Sequence, residues 1–522
     1  MKQDINLSYK PYTAPYTSLG LEPLSNYYLE MSESMTTKSK YYYVGVAGLE
    51  LFSPANASII PVSNQCRCLY TTSNGRTYGV WGKYICEVLA TGTLVLVGTI
   101  LTSSGVVRAV DNSIDTMFVD GQYGYIVDNN NILNQITDVN FPGVLDVTEG
   151  PSHCAVIDTF FLANSNNTVR YYWSAPGYQP TAFDSTKPYQ LSLWNGLYFG
   201  EKIGQSDSIV GMVGCLNSLF VFGKYSTEVH YDNGDTFQTF GRMENAYINI
   251  GCGAPDSICS YVNQVFWLSS DKAGTVGIFT ADSTFVPRRI STRGLEQRIQ
   301  EYPDITNCYA FTFAHNGHGY AVFNFPSGTP DDFQPQNTGA TWIYDITNDT
   351  WARRTHYDQV TGLSYQWRGQ FATSNFSKLL MGDNSTNCVY ELSGDYYVND
   401  KPDGSGYYQI KRDFTSPNLY FAGKLVTVKE VILNMQQATG LTNKNSAGIG
   451  LDPQVQLQVS FDTGLTWTNW VNAPIGVIGG TYTRTRWVGI GCGRNIQFRF
   501  LITEPVEVII TGVVINYEVM KE

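Results

Sequence analysis

The sequence predicts an all-β protein: a β-propeller of six to eight blades, seven being the expected count, followed by a C-terminal antiparallel β-domain. Three observations carry this. Aromatic residues reach 14% (36 Tyr, 26 Phe, 10 Trp) beside 49 Gly, while charged residues reach only 15%, a make-up suited to short strands and many turns. From about Thr77 to Leu392 one unit recurs: a run of Val, Ile, Phe and Tyr, a polar Gly/Asn/Asp turn, then a second such run, the signature of a β-hairpin. The units return every roughly 35 to 55 residues, the spacing of small sheets arranged as blades. The same pattern would also fit a large sandwich or a string of small β-domains.

Residues 1–60 are read as N-terminal strands closing or flanking the propeller. Residues 61–400 form the propeller itself, with TYGVWGKYICEV, TMFVDGQYGYIVD, SLFVFGKYSTEVHYD, QVFWLSSDKAGTVGIFT and YAFTFAHNGHGYAVFNF among its clearest hairpins. The uncharged stretch Val88 to Val107 is long enough for a membrane span. Its Thr, Ser, Gly and β-branched content suits two strands joined by a turn instead, so no membrane segment is expected. One helix is expected, over Ser291 to Tyr302, with Leu295, Ile299 and Tyr302 on one face at the propeller rim. Pro326 to Ala340 reads as an exposed loop, Asp395 to Pro417 as a domain boundary, and Gln436 to Pro453 as a further polar stretch. Beyond the boundary, residues 401–522 alternate in QVQLQVSFD, RNIQFRFLI and VEVIITGVVINYEV, as a sandwich-like antiparallel domain should.

The net charge is −12, with no acidic or basic block along the chain, so an electrostatic grip on phosphates is not expected. Ten cysteines scattered through a large chain read as buried free thiols of a reducing cytoplasm rather than a disulfide framework. The N-terminus MKQDINLSYKPYT lacks the apolar core of a secretory signal.

Ser460, Asp462, Gly464, Thr466 and Trp467 match the Asp-box pattern S-x-D-x-G-x-T-W. It marks a hairpin turn in which the carboxylate accepts from the turn's own N–H groups and Trp467 packs beneath. Its role is structural. The arginines group as Arg288, Arg289, Arg293 and Arg298, and as Arg353 and Arg354, local sets that a solvated rim explains as well as a substrate site. His153, His230, His315, His318 and His356 are scattered, HNGHG reads as a turn, and Cys66-Arg67-Cys68 is tight for a zinc knuckle. No P-loop, dinucleotide fingerprint, H-E-x-x-H or G-x-S-x-G is present. No catalytic, cofactor-binding or metal-ligating residue is therefore expected.

IVGMVGCLNSLFVFGKYSTEVHYDNG, INIGCGAPDSICSYVNQVFWLSSDKAGTVGIFT and VPRRIST follow one another from Ile209 to Thr292. They are preceded by SNYYLEM and KYYYVGVAGLELF and followed by VQLQVSFDTGLTW and GGTYTRTRWVGIGCGRNIQFRFLITEP. In this order they resemble the packaged-DNA stabilisation proteins of short-tailed bacteriophages, the tail hub or nozzle family. Long loops at Pro326 to Ala340 and Gln436 to Pro453 depart from the family pattern and bear on partner docking. The resemblance implies a virion tail protein without enzymatic activity or cofactor. It implies a homo-hexameric ring below the portal-side adaptor that contacts fibre, spike or needle proteins and conducts genomic double-stranded DNA without specific binding. A receptor-binding or glycan-cleaving propeller of a phage tail is the alternative.

Overall fold

The computed structural model describes residues 1–5, 24–32, 40–175, 194–215, 217–235, 238–330, 336–441 and 449–520. The central part of the Pro326 to Ala340 loop and residues 442–448 of the Gln436 to Pro453 stretch lie outside them.

Short turns set the hairpins. In FAHNGHGY, His315 pairs with His318 across Asn316 and Gly317, whose φ values of 50° and 81° are those of the two-residue turn that matches strand twist. In TMFVDGQYGYIVD the Asp120 carboxylate accepts from the N–H groups of Gln122 and Tyr123 at 3.0 and 2.7 Å, which closes the turn locally.

Among the described residues these hairpins assemble into seven blades of four strands. Their innermost strands are Cys66–Thr71, Arg108–Asp111, Cys154–Ile157, Ile209–Cys215, Cys259–Tyr261, Tyr309–His315 and Gly369–Asn375. Each packs against the next, and the seventh returns to the first, so the ring closes. The expected count is met. Blade seven takes only three strands from its own stretch of chain, and its outermost strand is Leu49–Ser53, paired antiparallel with Val389–Leu392. An early segment thus locks the last blade.

The second strand of each blade explains the aromatic richness, because both of its faces are buried and the period-2 alternation sends neighbouring residues to opposite blades. Leu219 and Val221 pack toward blade three, while Phe220 and Phe222 pack toward blade five. Val265 and Trp267 meet blade four, and Phe266 and Leu268 meet blade six. The chain around Val88 to Val107 follows the same logic: one strand ends at Val88, Gly92 turns the chain at φ 79°, and Leu94–Thr99 forms blade one's outer strand. No described helix is long and apolar enough to cross a membrane. The helix spans Arg293–Gln300, begins where Thr292 Oγ1 accepts from Leu295 N at 3.3 Å, and buries Leu295 and Ile299 against blades five and six.

The C-terminal part is a two-sheet sandwich. One sheet orders Tyr27–Met31, Tyr41–Gly45, Ile509–Val519, Val426–Met435 and Arg486–Gly493, with Lys2–Ile5 also paired to Ile509–Val519. The other runs Leu24–Ser25, Arg412–Thr415, Asn495–Ile502, Gln454–Ser460 and Val471–Pro474. Alternation puts Val455, Leu457 and Val459 into the core between them. Leu24–Ser25 lies parallel to Thr350–Asp358, the outer strand of blade six, so one eleven-stranded sheet runs from that blade into the sandwich. The N-terminal strands are therefore divided: Leu49–Ser53 completes the propeller, and those before it belong to the sandwich. Within Asp395 to Pro417, Val398–Asp400 and Tyr407–Gln409 form a hairpin. Its Asn399 and Asp400 side chains accept from Leu49 N and Leu51 N at 3.0 and 2.9 Å, covering the edge of the closing strand.

Counted against this fold, the charge is not evenly spread. Residues 61–400 contain 18 Lys and Arg against 31 Asp and Glu, a net of −13, and the remaining residues 15 against 14.

Candidate functional site

The propeller axis is occupied by the chain's own side chains. Arg108, on the innermost strand of blade two, donates to Asp256 Oδ1 at 2.9 Å and to Ser152 O at 3.1 Å. Asp256 belongs to the short turn Pro255–Ser257 that leads into blade five, across the ring. Beside this pair, His153 Nε2 donates to Pro255 O at 3.1 Å, and burial followed by the Arg108 charge holds its pKa well below the usual range. It is neutral. The innermost strands also bring in small apolar thiols: burial pushes Cys68 and Cys259 up to about 12, leaving them protonated and poorly nucleophilic. All ten cysteines are free and nine are buried. Because one arginine bridges opposite blades, a nucleic-acid duplex cannot pass through the bore of a single propeller.

Cys66 and Cys68 do not form a joint site. A bulge between them sends Cys66 to the core shared with blade seven and Cys68 to that shared with blade two. Arg67 between them is 1% exposed. Its guanidinium donates to the carbonyls of Gly82, Thr102, Ser104 and Gly105 and to Thr102 Oγ1 at 2.5–3.0 Å, fastening the loop between blades one and two. Among the described residues no group of three or more His, Cys, Asp or Glu is placed to hold a metal ion.

The arginine sets do not converge. Arg289 is paired with Glu296, Arg298 with Glu301 at 3.2 Å, and Arg288 with Asp349 at 3.7 Å, while Arg293 lines a surface cleft. Arg353 stacks on Trp342 at 4.4 Å and Arg354 lies over Trp367 at 5.4 Å, the latter buried between blade six and the sandwich, which lowers its pKa to about 10.

His318 and His315 also part company. His315 is largely buried and its pKa falls to about 4. His318 is hydrogen-bonded through Nδ1 to Asp345 Oδ2 and through Nε2 to Glu30 Oε2, both at 2.9 Å. The Asp345 hydrogen bond, with Glu30 in support, raises its pKa to about 9, so it is a cation at neutral pH joining blade six to sandwich strand Tyr27–Met31. Asn348 reinforces the joint, donating to Leu29 O at 2.7 Å. The sequence contains HNGH as a turn signal, but nothing local to it points to Glu30. Nor does any local pattern announce the buried pairs Lys202–Asp207 and Arg499–Asp413.

The five Asp-box residues lie together where the strand Gln454–Ser460 ends and its following connection begins. Asp462 Oδ1 accepts from Ser460 Oγ at 2.7 Å and Thr466 N at 2.8 Å, and Oδ2 accepts from Thr466 Oγ1 at 2.5 Å. Gly464 has φ 92° and donates to Ser460 Oγ at 2.8 Å, and Trp467 Nε1 donates to Gly464 O at 3.1 Å. These hydrogen bonds, that from Thr466 Oγ1 first, hold the Asp462 carboxyl at about 2. Each oxygen is engaged by its own turn.

Surface clefts among the described residues include the following three. One of about 590 Å³ between blades four and five places Lys272 over the Tyr225 ring at 4.9 Å. Its one carboxylate, Asp271, accepts from the turn N–H groups of Ala273 and Thr275. A second, of about 640 Å³, has Asp304 as its one carboxylate, and a third of about 240 Å³ lies beside Trp470 and Arg499 with none. None brings together the two carboxyl groups that glycoside hydrolysis ordinarily uses.

A family model described as the bacteriophage P22 Gp10 β-propeller, of the phage-stabilisation family, matches residues 22–397, a span containing all seven blades. No curated protein matches the chain. Among solved structures, the extracellular domain of a hybrid two-component system from B. thetaiotaomicron is similar at 9% identity and a TM-score of 0.39, over 73% of this chain and 45% of that one. The WD40 propeller domain of Doa1 is similar at 9% identity and TM-score 0.39, over 66% and 97%. The WD40 domain of Neurospora crassa Pan2 follows at 7% and 0.36, over 67% and 95%. The chain thus spans 45% of the length of the first of these.

Proposed function

This chain belongs to the phage-stabilisation family described by the P22 Gp10 β-propeller and is a structural component of a phage virion, and from that premise we propose that it forms the hub of a short tail. In this reading six copies make a ring below the portal-side adaptor, hold the packaged genome, conduct it on ejection and offer outer loops to fibre, spike or needle proteins. The observation that carries the reading is the family match across the whole propeller.

Two features support it physically. The bore of each propeller is bridged by Arg108 and Asp256, so a duplex conducted by such a ring runs between copies. The propeller segment carries a net charge of −13, and carboxylates facing that lumen would repel phosphates over about 8–10 Å in physiological salt, so DNA is enclosed without adhering. The role is mechanical rather than catalytic.

Gold-labelled antibody microscopy of DNA-filled virions tests the placement. Label at the axial tail stem, with genome leakage from particles lacking this chain, is the expected result. Label on peripheral fibres alone would overturn the hub and send attention to glycan binding.

A further inference from the structure

A lysine is seldom buried completely, and Lys202 is 1% exposed. It opens the connection between the outer strand of blade three, Trp194–Glu201, and the innermost strand of blade four, Ile209–Cys215. Five positions on, the connection brings back Asp207, also buried. Lys202 Nζ donates to Asp207 Oδ1 and, at 2.7 Å, to Ser226 Oγ. Both side chains lie against Gly223, where a Cβ would stand 2.7 Å from Lys202 Cε and 2.6 Å from Asp207 Cγ, a closeness that glycine alone allows. Gly204 N donates to the buried Glu228 Oε1 at 2.5 Å, which fixes the middle of the connection.

The Asp207 carboxyl is held as an acyl acceptor is held. Its Oδ2 accepts from the backbone N–H groups of Tyr225 and Ser226 at 2.7 and 3.2 Å, two donors aimed where an oxyanion would form. Its Oδ1 accepts from Ser226 Oγ at 3.1 Å, so the buried serine hydroxyl stands between the lysine nitrogen and the oxygen that would leave. Burial alone would raise the Asp207 carboxyl, but the Lys202 hydrogen bond, the Tyr225 N–H and the Lys202 charge together hold it below the usual range. The resting pair is ionic.

We infer that Lys202 and Asp207 condense into an internal amide, a covalent bridge between their side chains. The atoms balance without a co-reactant. One proton of the Nζ ammonium passes to Oδ1, leaving an amine beside a carboxylic acid. The Nζ lone pair then attacks Cγ, and the charge that develops on Oδ2 is met by the N–H groups of Tyr225 and Ser226. A second Nζ proton travels through Ser226 Oγ to Oδ1, the Cγ–Oδ1 bond breaks, Oδ1 departs as water, and the amide keeps one N–H. Condensation of free groups is unfavourable in water, but groups held in contact react as if at effective concentrations of about 10⁵–10⁸ M. The bridge closes residues 202–207 into a ring, so the connection between two blades cannot straighten when they are pulled apart.

Intact-mass spectrometry of the denatured full-length chain is the test. The expected mass is one water below that of the sequence, with trypsin failing to cut after Lys202 and the fragment that spans 202–207 carrying the whole deficit. Lys202→Arg restores the full mass. Ser226→Ala, which removes the relay, slows the loss of water about a hundredfold in freshly synthesised chain. A wild-type chain at full sequence mass, with Lys202 open to acetylation once unfolded, leaves an ion pair and overturns the bridge. A deficit that persists in Lys202→Arg overturns it too, since that would mark a succinimide at Asp207. The wild-type mass decides first, so a variant that fails to fold does not blunt the test.

Discussion

At the scale of single residues, the Glu30–His318–Asp345 bridge makes a pH dependence that can be signed. His318 rises from the ordinary 6.5 to about 9 in the folded chain, so folding binds its proton more tightly. The bridge contributes fully below about pH 6.5, and its contribution is lost as pH climbs through 9. The groups around it include Tyr28 and Tyr320, whose rings pack on the imidazole, and Asn348. Neutral His315 and His356, lowered to about 4 and 3 by burial, act in the opposite direction, removing stability as pH falls below 6.5. The melting temperature of the wild type is thus expected to peak near neutrality and to fall toward pH 9, whereas His318→Gln flattens the alkaline limb. An alkaline limb unchanged in that variant would remove the bridge from the account. The Asp-box is the converse case, since all its partners lie within eight positions of the sequence and its geometry was legible there. His318 finds Glu30 288 positions away, a distance over which no local pattern carries information.

At the scale of elements, the hairpins and the helix were legible because turn chemistry and periodicity are local. HNGH has the residues its turn demands, and Leu295 and Ile299 share the helix face that is buried. Strand partners are not local, and Leu24–Ser25, two residues long, has no periodicity at all although it joins two parts of the protein. The closing strand Leu49–Ser53 read as a strand, yet its place in blade seven depends on residues some 340 positions later. Its buried Leu49 sits in the core between that blade and the sandwich. Leu49→Ala is expected to cost about 2–5 kcal/mol. Hydrogen exchange should show the loss of protection first in Val389–Leu392 and Lys378–Asp383, and a loss beginning in blades three or four would contradict the closure.

At the scale of the whole molecule, propeller and sandwich share a sheet, so they are expected to melt in one calorimetric transition. Asn26 is the fastening: buried at φ 60°, its amide donates to Thr355 Oγ1 and Lys411 O, both at 2.8 Å, and accepts from Thr355 N at 3.0 Å. Asn26→Ala loses these bonds at a backbone angle that alanine resists. It should cost about 3 kcal/mol and split the transition in two, whereas two transitions already present in the wild type would deny the coupling. The acidic character of the propeller belongs to this scale as well, since a net of −12 read along the chain becomes a charge of one region only when the fold divides the sequence. The strand Ile509–Val519 pairs with Lys2–Ile5, Tyr41–Gly45 and Val426–Met435, so the middle of this sheet is a strand that follows each of these partners in the sequence. The propeller, whose strands all lie between Leu49 and Leu392, can therefore close during synthesis while the sandwich still lacks its centre.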